Sequence, residues 1–266
     1  MSSPIQAQAS LPYIKPTKEA PISYAGYPEL ENLHYDWQQV EIRSARTIPG
    51  GASLKTHGFR AVKHPTAIGV FDESDTWHPP FLVEVEQLLK ALTGASAVVT
   101  LGAAYRSVIL KGSFAPASFC HSDFTSVGAA MHVGQLDPEL ADLRLAKRFA
   151  AYNVWRLVSG APQDVPLALC DARSVRSADV VPGKAYYGGP DNTALWGEMA
   201  MFRFNPAHRW YFYPDLSNDE VLIWCGYDSD PAFASIVPHT AFRDPTCPMP
   251  VPPRANVECR CLAFFD

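Results

Sequence analysis

Hydrophobic and polar positions along this chain change period as it proceeds. Two stretches follow the helical period. In 79–95 (PPFLVEVEQLLKALTGA), Phe81, Val85, Leu88, Leu89 and Leu92 fall on one face, two prolines suit a first turn, and Gly94 marks the stop. In 137–152 (DPELADLRLAKRFAAY), Asp137 is the expected N-cap, Pro138 opens the first turn, and Leu140, Leu143, Ala146 and Phe149 form the apolar face. From about Val98 onward the remaining apolar segments are short, β-branched or aromatic, and bounded by Gly, Pro, Asp or Asn. They are AVVTL, RSVILKG, ASFCHSDF, NVWRLV, PLALC, EMAMFRF, RWYFYPD, EVLIWCGY, ASIVPHT and NVECRCLAFF. Many short strands in succession without intervening helices predict an antiparallel sandwich or barrel rather than a βαβ sheet. The expected architecture is mainly β, buttressed by N-terminal helices and carrying one helical insert.

Composition narrows the function. The 266 residues are 47% hydrophobic and 18% charged, enough to bury a sizeable core, and the net charge of −5 offers no footprint for nucleic acid or an anionic membrane. No apolar run approaches the roughly 18 residues that span a bilayer. The first residues, MSSPIQAQASLPYIKP, lack a basic patch followed by an apolar stretch, so no secretory signal is expected. Six cysteines show no C-x-x-C pair and no zinc-finger spacing, which suits reduced thiols in the cytoplasm. Residues 1–35, rich in Pro, Ser and Ala, are expected to form an extended arm. Residues 36–266 then form a single domain, with its β core at about 98–266.

Candidate chemistry sits at the two ends of that core. The strand ASFCHSDF carries His121 and Asp123, two apart and so on one face. An imidazole and a carboxylate so placed can converge on one cation. The pair alone is weak, and His121 or His239 taken singly could be an ordinary core histidine. His239, at the end of ASIVPHT, completes a two-His-one-carboxylate set, which leaves three coordination positions open and suits non-haem Fe(II). Past a proline-loaded connection comes Arg254, with Asn256 two residues on. A guanidinium fork with a neighbouring amide matches a carboxylate, as needed to hold the far end of 2-oxoglutarate. A surface ion pair remains an alternative for Arg254, and Arg260 shares its strand face.

At these residues the chain resembles the Fe(II)/2-oxoglutarate-dependent oxygenases. Within them it resembles the hydroxylase/desaturase group that includes gibberellin desaturase-like fungal enzymes and cephamycin-type tailoring oxygenases. The matching strings occur in order from about residue 80 to the end. They are TGA (93–95), HSDFT (121–125), AYNVWR (151–156), QDVPLALCDARSV (163–175), DEVLIWCGYDSD (219–230), VPHTAFRDP (237–245) and PRANVECRCLAFF (253–265). The resemblance implies a double-stranded β-helix (jelly-roll), with His121, Asp123 and His239 as iron ligands and Arg254 as the cosubstrate anchor. It implies Fe(II), 2-oxoglutarate and O2 as the cofactors, and a small specialised metabolite as the substrate to be hydroxylated, desaturated or cyclised. The anchor is expected as Arg-x-Ser, and this chain departs from it with Asn256, whose amide can still donate.

The resemblance also draws attention to NVWR. Asn153 is a candidate for cosubstrate contact and Arg156 for substrate contact; otherwise Trp155 packs in the core and Arg156 pairs with Asp164 or Asp171. CDARS (170–174) reads as a polar turn, and Cys120 alternates with His121 and so faces away from the metal. On the last strand Arg260, Leu262 and Phe264 share parity with Arg254, and are candidates for the substrate wall unless Leu262 and Phe264 are plain core. Two other functions remain open: a same-fold metal enzyme, such as a cupin-like dioxygenase or isomerase, that does not use 2-oxoglutarate, and a non-catalytic small-molecule binding protein. A homodimer is compatible with the sequence.

Overall fold

Strand pairing brings the far ends of the chain together in the computed structural model, which describes residues 6–72, 74, 76–107, 117–136 and 138–266. In chain order the elements are β1 (Gln6–Ile14), β2 (Ile22–Tyr24), β3 (Tyr35–Ser44), β4 (Phe59–Lys63), α1 (His78–Thr93), β5 (Ala97–Ser107), β6 (His121–Ser122), α2 (Ser126–Leu136) and α3 (Ala141–Leu145). They continue with β7 (Phe149–Leu157), β8 (Leu167–Cys170), β9 (Val180–Tyr186), β10 (Trp196–Phe202), β11 (Trp210–Phe212), β12 (Glu220–Asp228), β13 (His239–Ala241) and β14 (Ala255–Phe264). Among the described residues they form a larger sheet, β1-β3-β11-β8-β13-β6-β10-β9-β2, and a smaller one, β4-β12-β7-β14-β5. Pairing is antiparallel except at β11/β3 and β2/β9. This is the expected mainly β, double-stranded β-helix class.

The period-2 alternation of β7 and β14 sets the layers. Val257, Cys259, Cys261 and Ala263 of β14, with Tyr152 and Val154 of β7, pack under α1 through its Phe81, Val85 and Leu89. The Val, Leu and Phe side chains each contribute about 1.5–3 kcal/mol by leaving water. Gly94 ends α1 with φ 74°, the left-handed conformation that a helix C-cap favours. The opposite faces of β7 and β14 look toward the larger sheet. There Trp155 and Leu157 pack with Leu169, Leu222 and Trp224, while Leu262 and Phe264 pack with Phe124 and Val133.

Four expectations change. Residues 6–14 are not an arm over the domain; β1 pairs with β3 along its whole length, and its Leu11 and Tyr13 are fully buried. The core therefore begins well before residue 98, and among the described residues α1 is the one α-helix N-terminal to β5. The helix expected at 137–152 shrinks to α3, and Phe149 starts β7 opposite Phe264. Its proposed apolar face had nothing to cover: Leu140 and Leu143 are 43% and 67% exposed, whereas Phe149 and Ala151 are buried between the sheets. Burial overrode helical periodicity. Asp137, and most of RSVILKG, lie outside the described residues. Finally, α2 was not expected, because SVGAAMHVGQL holds two glycines. Gly128 is there for close packing, since a Cβ would sit 2.1 Å from the Glu198 carbonyl oxygen.

Candidate metal centre

The centre forms where β6 and β13 pair. His121 and His239 are direct cross-strand partners, and their rings lie 4.2 Å apart between centroids. Asp123 follows two residues after His121, just beyond the end of β6. All three are buried, and each offers one ligand atom within 4.8 Å of the others. Both rings hydrogen-bond the backbone through Nδ1, His121 to Phe119 O at 2.8 Å and His239 to Val237 O at 3.3 Å. That geometry puts the proton on Nδ1 and turns the Nε2 lone pair toward the cluster, as metal-bound histidines are held. His239 Nε2 lies 3.5 Å from Asp123 Oδ2. Burial, with the adjacent His239, pushes the His121 pKa down to about 4, and burial also lowers that of His239. Two neutral imidazoles are what a cation requires.

The smaller sheet supplies the surround. Arg260 and Asn153 are partners across β14 and β7, and both reach Asp123. Arg260 Nη2 approaches Oδ1 at 2.9 Å, and Asn153 Nδ2 donates to Oδ2 at 2.6 Å. Burial by itself would raise the Asp123 pKa, but the charge of Arg260, with the Asn153 hydrogen bond, outweighs it and holds the carboxyl well below its usual range. Asn153 Nδ2 also donates to Glu258 Oε1 at 3.0 Å, and Arg106 Nε donates to Glu258 Oε2 at 3.0 Å. The Trp224 ring stands 4.7 Å from His239 and flanks it.

Arg254 and Asn256 lie further along the same inward face. The Arg254 guanidinium sits 5.7 Å above the Trp155 ring, one inward position from Asn153, and its Nη1 donates to Val165 O at 2.7 Å. Among the described residues its buried Nε has no partner, and neither has either amide atom of Asn256. Burial and the like charge of Arg106 lower the Arg254 pKa to about 10, so it remains a cation at neutral pH. A buried cation beside an amide, both short of partners, fits a carboxylate. With the three converging ligands, these residues suit iron and a 2-oxo acid.

A cavity of about 480 Å³ opens on the centre, walled by His121, Asp123, Arg260, Tyr187, Phe119 and Tyr35 among others. A second cavity, of about 440 Å³, adjoins it across Arg106, Tyr187 and Arg260.

Three candidates fall elsewhere. Arg156 is corrected: three positions from Asn153, it faces the opposite side of β7. There it donates to Asn218 O at 2.6 Å and His64 O at 2.7 Å, bonding neither Asp164 nor Asp171. Leu262 and Phe264 do point inward but pack against α2, and neither borders the two cavities. Cys120 is buried on the face away from His121, as expected. Asp171 of CDARS is a structural ion-pair centre, bound by Arg173 and Arg209. Sequence reasoning missed Arg106, Trp224 and Tyr187. Glu258 was within reach through its strand parity with Arg260; the partners of Arg106, Trp224 and Tyr187 are too distant in sequence to be read.

The fold and this constellation define a non-haem iron oxygenase class, and the comparisons with known proteins agree. Residues 11–264 match the family described as Oxidoreductase/YMDC permease-like domain. The chain is 31% identical to hydroxylase/desaturase CTB9 of Cercospora beticola, over 92% of this chain and 82% of that protein. It is likewise 31% identical to hydroxylase/desaturase efuI of Hormonema carpetanum, over 88% of this chain and 86% of that one. Among solved structures it is similar to the iron and alpha-ketoglutarate-dependent endoperoxidase NvfI, with a TM-score of 0.87, 25% identity and 99% of each chain covered. The chain belongs to the fungal Fe(II)/2-oxoglutarate-dependent hydroxylase/desaturase family.

Proposed function

We propose that this chain is an Fe(II)/2-oxoglutarate-dependent oxygenase that hydroxylates, desaturates or oxidatively cyclises a small specialised metabolite. The observation that carries the reading is the buried His121–Asp123–His239 cluster, with ligand atoms within 4.8 Å, opening on a cavity of small-molecule size. Iron held there supplies, with O2, the oxidising power for an unactivated C–H bond, the cosubstrate leaving as succinate and CO2.

The protein's own residues bind, orient and exclude water. His121 and His239, fixed by backbone carbonyls, present Nε2, and Asp123 adds a carboxylate whose charge Arg260 offsets. Arg254 would hold the distal carboxylate of 2-oxoglutarate by a charge-assisted fork, with Asn256 adding an amide donor. Phe119, Tyr35 and Tyr187 would shield the reacting carbon from solvent. Among the described residues no helix is long and apolar enough to cross a membrane, and the six cysteines are unpaired. Action on a diffusible metabolite in the cytoplasm is part of the same proposal.

The test is anaerobic. The Fe(II)-loaded protein should develop the visible charge-transfer band of a chelated 2-oxo acid when 2-oxoglutarate is added. Iron binding without that band would favour a metal enzyme that does not use the cosubstrate. Absence of iron binding would favour a binding protein.

A further inference from the structure

The two oxygens of Asp123 are treated differently, and the difference bears on how many coordination positions remain. Oδ2 faces His239 Nε2 at 3.5 Å. Oδ1 points the other way and accepts from Arg260 Nη2 at 2.9 Å. Asn153 adds a bond to Oδ2 at 2.6 Å, and is itself tied to Glu258 at 3.0 Å, which Arg106 holds from behind. Arg260 is steadied in turn by the Tyr187 ring, 5.2 Å from its guanidinium carbon. The carboxylate is thus clamped from both sides by residues on paired strands, Arg260 on β14 and Asn153 on β7. Its rotation about χ2 would break the Arg260 bond and leave a half-buried guanidinium unmatched at the cavity wall.

Resting on the oxygenase reading, we propose that Arg260 is a positioning residue that keeps Asp123 a one-oxygen ligand, and is not the substrate contact its place on the strand first suggests. The count explains why this matters. On a six-coordinate iron, two imidazoles and one carboxylate oxygen would leave three positions, of which a 2-oxo acid would need two and O2 one. A carboxylate chelating through both oxygens would occupy a fourth, and the cosubstrate and O2 would then compete for two. Arg260 commits Nη2 to Oδ1, while the rest of its guanidinium borders both cavities.

The test uses the Fe(II)-loaded protein without O2. Arg260→Gln should still bind one iron per chain, its iron affinity reduced by no more than the roughly 10- to 100-fold that losing an outer partner of a metal ligand costs, while its affinity for 2-oxoglutarate falls by at least tenfold beyond that. The charge-transfer band should be weakened or shifted at saturation. Arg260→Lys, whose ammonium can still donate to Oδ1, should recover most of that affinity. Arg260→Met fills the same space without a donor and carries the same expectation as Gln, so a folding failure in one variant leaves the other. Unchanged 2-oxoglutarate affinity and spectrum in a folded, iron-loaded Gln or Met variant overturns the proposal. Loss of iron in a folded variant overturns it too, because Arg260 would then be building the site, not limiting one ligand. Failure of the unsubstituted protein to bind iron is a separate result, and sinks the oxygenase reading itself.

Discussion

Replacing Arg254 with methionine removes a buried charge while roughly conserving volume, and should disable the cosubstrate site without dismantling the fold. Within the protein the guanidinium donates once, to Val165 O at 2.7 Å, and stacks over Trp155, while Nε lacks a partner. Losing the one charge-assisted bond costs about 1.5–3 kcal/mol, and sparing the burial of an uncompensated cation offsets part of that. The effect on 2-oxoglutarate is larger, because a buried charge-assisted pair truncated on one side loses about 2–5 kcal/mol. At about 1.4 kcal/mol per tenfold, the dissociation constant should rise between roughly 30-fold and several thousandfold. Anaerobic calorimetry on the Fe(II)-loaded variant reads that constant directly, with the iron stoichiometry as an internal control. Arg254→Lys should fall between the two, since a point charge survives but the fork does not. Wild-type affinity in a folded, iron-loaded Arg254→Met variant would refute the assignment. If Arg260→Met alone abolished 2-oxoglutarate binding in that setting, the anchor would be the other arginine.

Other outcomes follow from the same geometry. Leu89→Ala should lower stability by about 2–5 kcal/mol in denaturant titrations while iron binding is unchanged, since α1 packs on the face of the smaller sheet away from the metal centre. Leu262→Met should cost under about 1.5 kcal/mol and leave the ratio of hydroxylated to desaturated product unaltered, because Leu262 packs beneath α2; a shifted ratio would return it to the substrate wall. The Asp171 pKa is lowered, burial being outweighed by Arg173 and Arg209, so its contribution to stability is complete above about pH 4 and is lost as pH falls through the depressed value. Asp171→Asn should therefore be less stable than the unsubstituted chain at pH 7 and approach it as pH falls through the depressed pKa, and a gap constant across that range would contradict the ion-pair account.

Much of the site was legible because strand alternation is local. The spacing of His121 and Asp123, and the shared parity of Arg254, Asn256 and Arg260, need only a period of two, and the structure keeps both. The same rule, applied to β7, separates Asn153 from Arg156, which NVWR invited one to treat together. Helix α1 was legible from its apolar face and its glycine stop. The N-terminal strands were not, because QAQASLPYI carries a proline and ISY is three residues long, and their pairing is decided by partners such as β9 far along the chain. Residues 137–152 misled through a helical pattern whose leucines had no surface to cover. The Arg106–Glu258–Asn153 chain was hidden for another reason: its members come from three strands, and only the folded sheet makes them neighbours.

The central claim, that His121, Asp123 and His239 hold the iron of a 2-oxoglutarate-consuming enzyme, meets its most direct test in one turnover measurement. Purified protein is given Fe(II), O2 and 2-oxoglutarate, and succinate is quantified against the Asp123→Ala and His239→Ala variants. The unsubstituted chain should form succinate strictly with iron and 2-oxoglutarate present, and both folded variants should fall to background. Succinate formation at the unsubstituted rate in either variant would contradict the assignment of the centre.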